Sequence, residues 1–153
     1  MKNSLFNKIF TDANQRVVAY DGSPVTWRIS AYVLIIKADQ VLLIKNNHEE
    51  LYDVVGGGIE IGETISQAIA REALEEAGAI VGVGALVHVY EDFFYHRNGN
   101  YYQTLQLFYT AKLIGELTHP KDDSVSFREF VPIAKVGAVY PVPPVVKVAL
   151  SRV

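Results

Sequence analysis

No cysteine occurs among the 153 residues. That excludes a disulfide framework, a thiolate zinc site and a cysteine nucleophile, and it is compatible with a reducing cytoplasm. Basic runs are missing too. The 14 Lys and Arg are scattered and outnumbered by 17 Asp and Glu, giving a net charge of −3. A sequence-independent grip on a nucleic-acid duplex needs clustered cations, so no duplex partner is expected. Long apolar stretches are also absent. Ala31–Ile36 is among the longest, far short of the ~20 residues a membrane helix requires. The start, Met1 to Phe6, lacks the apolar segment of a signal peptide. No membrane partner is expected, and the chain reads as cytoplasmic. Repeats, low-complexity tracts and flexible linkers are likewise missing. One domain over 1–153 is expected, with 1–15 polar enough for a loose N-terminal arm or a short helix.

What is present suits a buried core: half of the residues are apolar and a fifth are charged. Val17–Tyr20 reads as a short strand before the turn Asp21-Gly22-Ser23-Pro24. Trp27–Lys37 and Val41–Lys45 are rich in β-branched residues around Ala38-Asp39-Gln40, the pattern of a hairpin. A polar loop, Asn46–Leu51, leads to a strand at Tyr52–Val55 and then to Gly56-Gly57-Gly58. Thr64–Ala77 is the clearest helix, with Thr64 placed to cap it and Gly78 to stop it. Ala85–Tyr95 and Tyr101–Ile114 read as strands joined at Asn98-Gly99-Asn100, and Ser126–Val131 as another. Pro143-Pro144 suits the first turn of a helix ending near Ser151. Strands with helices on the sheet faces give an α+β or α/β sandwich.

The helix carries an unfavourable pattern. At about 100° per residue, Glu72, Glu75 and Glu76 fall within an arc of roughly 100°. Ala70, Ala73, Leu74 and Ala77 are expected on the other side, against a sheet. Like charges three or four residues apart repel by a few tenths of a kcal/mol per pair, and more when partly buried. They also lie at the C-terminal end, where the helix dipole disfavours anions. Arg71 is the one compensating neighbour in sequence. A bound divalent cation reverses both penalties, because hard cations favour carboxylate oxygens. The preceding glycines let the backbone approach a ligand closely.

Together the two parts resemble the signature of the Nudix hydrolases. That signature is Gly, five residues, Glu, seven residues, Arg-Glu, an aliphatic, any residue, Glu-Glu, any residue, Gly and an aliphatic. Gly57, Glu63, Arg71, Glu72, Glu75, Glu76 and Gly78 fill every fixed position over Gly57–Ala79. Ala73 and Ala79 stand where larger aliphatics are usual, and Val54-Val55 where the family often has Leu-Pro. The resemblance implies a mixed sheet flanked by helices with a catalytic loop-helix at about 56–78. It implies Glu72, Glu75, Glu76 and the Gly57 carbonyl as ligands of Mg²⁺ (or Mn²⁺). Glu63 and Arg71 would tie loop to helix, with Glu63 an auxiliary ligand. Glu63, Arg71, Glu75 and Glu76 thus form the implied catalytic set.

The implied reaction is attack of a metal-activated water on phosphorus, cleaving a diphosphate in a nucleotide-like small molecule. The general base is left among Glu76, Glu91 and Asp92. Lys45 and Arg28 are candidate phosphate contacts, each also readable as a solvated surface cation. Tyr95 lies about where dinucleoside-polyphosphate cleavers of the family carry a Tyr. The rings Phe93, Phe94, Tyr95, Tyr101 and Tyr102 could stack on a base, with at least half expected in the core. The alternative on the same scaffold is a nucleotide-binding sensor without turnover, but the box is intact. An isomerase of this fold would resemble a site with a catalytic cysteine. Family members are often dimers, so a homodimer is a further expectation.

Overall fold

The hairpin read from the β-branched segments organises the molecule. The computed structural model describes residues 4–153. After a 3-10 turn at Ser4–Asn7 come strands β1 (Phe10–Thr11), β2 (Val17–Val18), β3 (Val25–Lys37), β4 (Gln40–Asn46) and β5 (Val55–Gly58). Helix α1 (Ile65–Ala77) follows, then β6 (Ile80–Tyr95), β7 (Tyr101–Ile114) and β8 (Val125–Pro132). A 3-10 turn at Ile133–Lys135 and helix α2 (Pro144–Leu150) close the chain. The strand order is β2-β1-β6-β7-β3-β4-β8, with β5 paired to β3. β3 runs parallel to β7 and antiparallel to β4 and β5. The result is a mixed, curled sheet with a helix on each side.

Alternation along β3 assigns the two faces. Ala31, Val33 and Ile35 pack with Ile69, Ala73 and Ala77 of α1. Leu34 points the other way, into a second cluster with Phe108, Val146, Ala149 and Leu150. β4 pairs with β3 only near the tip, at Ile36–Val41 and Lys37–Gln40, so the two strands diverge. β5 lies in that divergence, with Asp53 bridged to Ile44 of β4. The functional residues gather there.

Several expectations are adjusted by tertiary contacts. Strand β5 begins at Val55 and includes the glycines, because residues without side chains can lie flat against Ser30–Tyr32. Strand β6 starts at Ile80 and passes through Gly82 and Gly84 with irregular register on either side of Leu86. A Cβ at Gly84 would sit 2.5 Å from Thr110 Oγ1, so β7 itself demands glycine there. The chain is anchored at Phe10, which is fully buried against Tyr20, Phe93 and Tyr101. The inward face of α1 is Ala68, Ile69, Ala73 and Ala77; Ala70 is exposed. The helix is therefore rotated from the expected orientation, and Glu72 and Glu76 stand at the margin of its buried face.

Candidate functional site

Helix α1 is set at both ends by local chemistry. Thr64 accepts the Gln67 N–H at 3.2 Å, and the Gln67 side chain accepts the Thr64 N–H at 2.8 Å, a reciprocal capping box. Gly78 stops the helix with φ 58° and donates to the Ala73 and Leu74 carbonyls. The C-terminal carbonyls also receive a cation invisible in the local sequence. Arg128 of β8 donates to the Ala77 carbonyl at 2.6 Å and to that of Thr118. It answers the dipole penalty on the glutamates.

Arg71 is the hub of the loop-helix unit. Its Nε donates to Glu63 Oε1 at 2.7 Å and its Nη2 to Glu63 Oε2 at 3.0 Å. Nη2 also donates to the Gly58 carbonyl at 3.0 Å, while Nη1 reaches Glu72 at 2.7 Å and Glu75 at 3.4 Å. The Arg71 hydrogen bonds hold the Glu63 carboxyl down at about 2. Glu76 instead accepts the Gly56 N–H at 3.0 Å. Burial pushes its carboxyl well above the ordinary range, and Glu72 is raised by burial too. Each is also raised by another carboxylate, Glu72 by Glu75 and Glu76 by Glu72.

Each glycine of β5 meets a different functional group. A Cβ on Gly57 would lie 2.5 Å from Glu72 Oε1, one on Gly58 2.5 Å from Arg28 Nη2, and one on Gly56 2.7 Å from Tyr32 Cδ1. The glycines thus hold the carboxylate helix on one face of β5 and the Arg28 and Tyr32 side chains on the other. Among the described residues no three acidic or imidazole side chains converge on one point as they stand. Arg71 engages only one oxygen of Glu72 and one of Glu75, which leaves each carboxylate a second oxygen for a cation. The donor set suits a hard cation: carboxylate oxygens, crowded, partly buried and mutually repelling.

A cavity of about 260 Å³ opens beside this unit, lined among others by Arg28, Tyr32, Asp53, Gly57, Glu76 and Asp92. Arg28 makes no ion pair among the described residues; its guanidinium stands 5.5 Å from the Tyr102 ring centroid. Burial raises Asp92, and it pushes Asp53 up to about 7. Strand parity separates the remaining candidates. Asp92 and Phe94 face the cavity; Glu91 is exposed and accepts the Gln103 amide at 2.5 Å. Tyr95 is not among the cavity-lining residues and packs on Tyr101 at 4.8 Å. Lys45 stays outside the lining, over the Tyr52 ring at 5.0 Å. Tyr32 and Asp53 had no place in the sequence reading. Alternation from Arg28 points to Tyr32, but nothing local marks Asp53.

The geometry has counterparts among known proteins. A family model described as NUDIX domain matches residues 26–150. A putative 8-oxo-dGTP diphosphatase of Bacillus subtilis is 36% identical over 62 residues, 40% of this chain and 42% of that protein. An ADP-ribose pyrophosphatase of Methanocaldococcus jannaschii is 40% identical over 60 residues, 37% of this chain and 36% of that one. The matches thus span less than half the length of these curated relatives. In fold, a MutT NUDIX hydrolase from Burkholderia pseudomallei superposes with a TM-score of 0.69 at 21% identity, covering 84% of this chain and 98% of the other. No helix among the described residues is long and apolar enough to cross a membrane. From an intact box on a matching fold, and a family match across both helices and the sheet core, the chain belongs to the NUDIX domain family.

Proposed function

We propose that the protein hydrolyses a diphosphate bond in a nucleoside diphosphate linked to another moiety, with Mg²⁺ (or Mn²⁺) as cofactor. The observation that carries this is the complete glutamate box against a cavity that Arg28 also lines. The two curated relatives are named for nucleotides that contain a diphosphate, which supports the substrate class. Glu72, Glu75, Glu76 and the Gly57 carbonyl are the proposed ligands, with Glu63 held to Arg71 as the brace. The cation, when bound, neutralises phosphoryl charge and acidifies a coordinated water.

The chain's own groups do the rest. Arg28 reaches the cavity without an ion pair among the described residues, although its charge acts on Glu72, and it binds a phosphoryl oxygen by charge-assisted hydrogen bonds. Glu76 and Asp92, both at the cavity, remain the proton acceptors to be tested; Glu91 faces elsewhere. Lys45 is a phosphate contact only if its side chain leaves Tyr52, and Tyr95 a substrate contact only if its ring leaves Tyr101. The setting proposed is cytoplasmic, with a homodimer as the further expectation. The test is a panel of nucleoside diphosphate derivatives with Mg²⁺ and Mn²⁺, assayed for released phosphate esters. Turnover above a Glu76→Gln control is expected for at least one compound; none across the panel overturns the reaction.

A further inference from the structure

Tyr32 is held firmly yet leaves its polar end unused. Phe108 stacks on the ring with centroids 5.2 Å apart and planes 16° from parallel. Gly56 crosses so near that a Cβ there would crowd the ring. Tyr32 lines the cavity, and its hydroxyl has no hydrogen-bond partner among the described residues. The hydroxyl is not sealed in, since no enclosed side-chain polar atom lacks a partner among the described residues; it opens to the cavity. A rigid ring ending in an unpaired hydroxyl beside a cavity suits a ligand.

Asp53 lines the same cavity, positioned by the backbone bridge to Ile44. Its Oδ1 accepts the Val54 N–H at 2.7 Å; Oδ2 has no partner among the described residues. Of the charged groups around the Tyr32 phenol, Asp53 acts on it most strongly, ahead of Arg28, Glu76 and Glu72. Arg28 and Glu76 of the carboxylate helix line the same cavity as the pair.

The chemistry of the two groups narrows the ligand. Above the Asp53 value of about 7, a phosphoryl oxygen placed against its carboxylate meets a like charge, whereas Arg28 offers the opposite one. A hydroxyl satisfies both partners, donating to the carboxylate and accepting from the phenol. In a nucleoside diphosphate the hydroxyls nearest the diphosphate are those of the sugar. We propose that Tyr32 and Asp53 form a subsite for a sugar hydroxyl, selecting ribosyl over dideoxyribosyl diphosphates. This rests on the diphosphate reading, which brings the sugar to that distance from Arg28 and the helix.

Binding tests it without needing turnover. Calorimetry in Mg²⁺ at pH 8, where Asp53 is ionised, would compare ADP, GDP, CDP and UDP with their 2′,3′-dideoxy counterparts on the wild type, Tyr32→Phe and Asp53→Asn. At least one ribonucleotide should bind about tenfold more tightly than its dideoxy partner, the scale of a hydrogen bond to a charged group. The preference should shrink to about twofold or less in each variant, with dideoxy affinity unchanged. Both substitutions keep shape, and circular dichroism would verify the fold. The subsite is overturned if no ribonucleotide is preferred, or if either variant keeps the preference. A sugar preference without hydrolysis would sink the reaction alone; hydrolysis without the preference would sink the subsite alone.

Discussion

Arg71 grips Glu63 at two points, Nε to Oε1 at 2.7 Å and Nη2 to Oε2 at 3.0 Å, across eight residues of chain. The contact closes the loop between β5 and α1 onto the helix. It also orients a guanidinium that hydrogen-bonds Glu72 and Glu75. Lysine offers a single point charge in place of this planar fork. Arg71→Lys should therefore cost about 1–2 kcal/mol by chemical denaturation, within the range for truncating charge-assisted hydrogen bonds. An unchanged midpoint would show that the brace adds nothing to stability.

The same contact makes a pH prediction. The Glu63 carboxyl is held below its ordinary 4.5, at about 2, by Arg71. A depressed folded value means stability that is present above 4.5 and lost as pH falls through about 2. The wild-type melting temperature should decline over that window more steeply than that of Glu63→Gln. Parallel melting curves would remove the pair from acid denaturation.

Asp53 should act in the opposite sense. Burial raises its carboxyl from 3.8 to about 7, so the folded state retains its proton longer than the unfolded state. Stability is then lost as pH rises from about 4 to 7, and the cost persists above that. Asp53→Asn should melt a few degrees higher than wild type at pH 8 and the same at pH 3.5, by calorimetry on the metal-free protein. A gain equal at both values would assign it to packing instead.

Gly57 is the point where backbone and ligand set touch. A Cβ there would lie 2.5 Å from Glu72 Oε1, so Gly57→Ala must displace that carboxylate. The Mg²⁺ concentration for half-maximal turnover should rise at least about tenfold, the scale seen when a metal site's supporting contacts are lost. Gly82→Ala is the control, since its Cβ would meet only Ile114 Cδ1 at 3.7 Å. Equal effects of the two would detach Gly57 from metal binding.

Ala38 offers a test away from the site. It turns the β3–β4 hairpin with φ 55°, a region costly for residues with a Cβ. Ala38→Gly should raise stability by up to about 1 kcal/mol, the strain relieved being partly offset by entropy of the unfolded chain. A loss would show that the turn tolerates alanine without strain.

The box, its helix and the strands around it were legible locally. Seven positions at set spacing, a capping Thr64, a stop at Gly78 and β-branched runs all act over a few residues, and short-range chemistry is what a sequence displays. Parity along β6 could be written down, yet which parity faced the cavity could not. That choice set Asp92 inside and Glu91 outside, and it depends on how β6 registers against β7. The orientation of α1 depends on a related contact between separate elements: Gly57 leaves room for Glu72 against β5, and the Gly56 N–H holds Glu76.

By itself, then, the sequence determined the family, the loop-helix and the crowding of glutamates that makes a cation favourable. Only the tertiary structure decided what surrounds them. Arg128 reaches the helix end from β8, Phe10 is buried against strands far along the chain, and Tyr32 and Asp53 line one cavity where β3 and β4 part. Those relations follow from strand register and the divergence of a hairpin. They are long-range pairings whose energies are summed over the whole fold, and no local pattern encodes them.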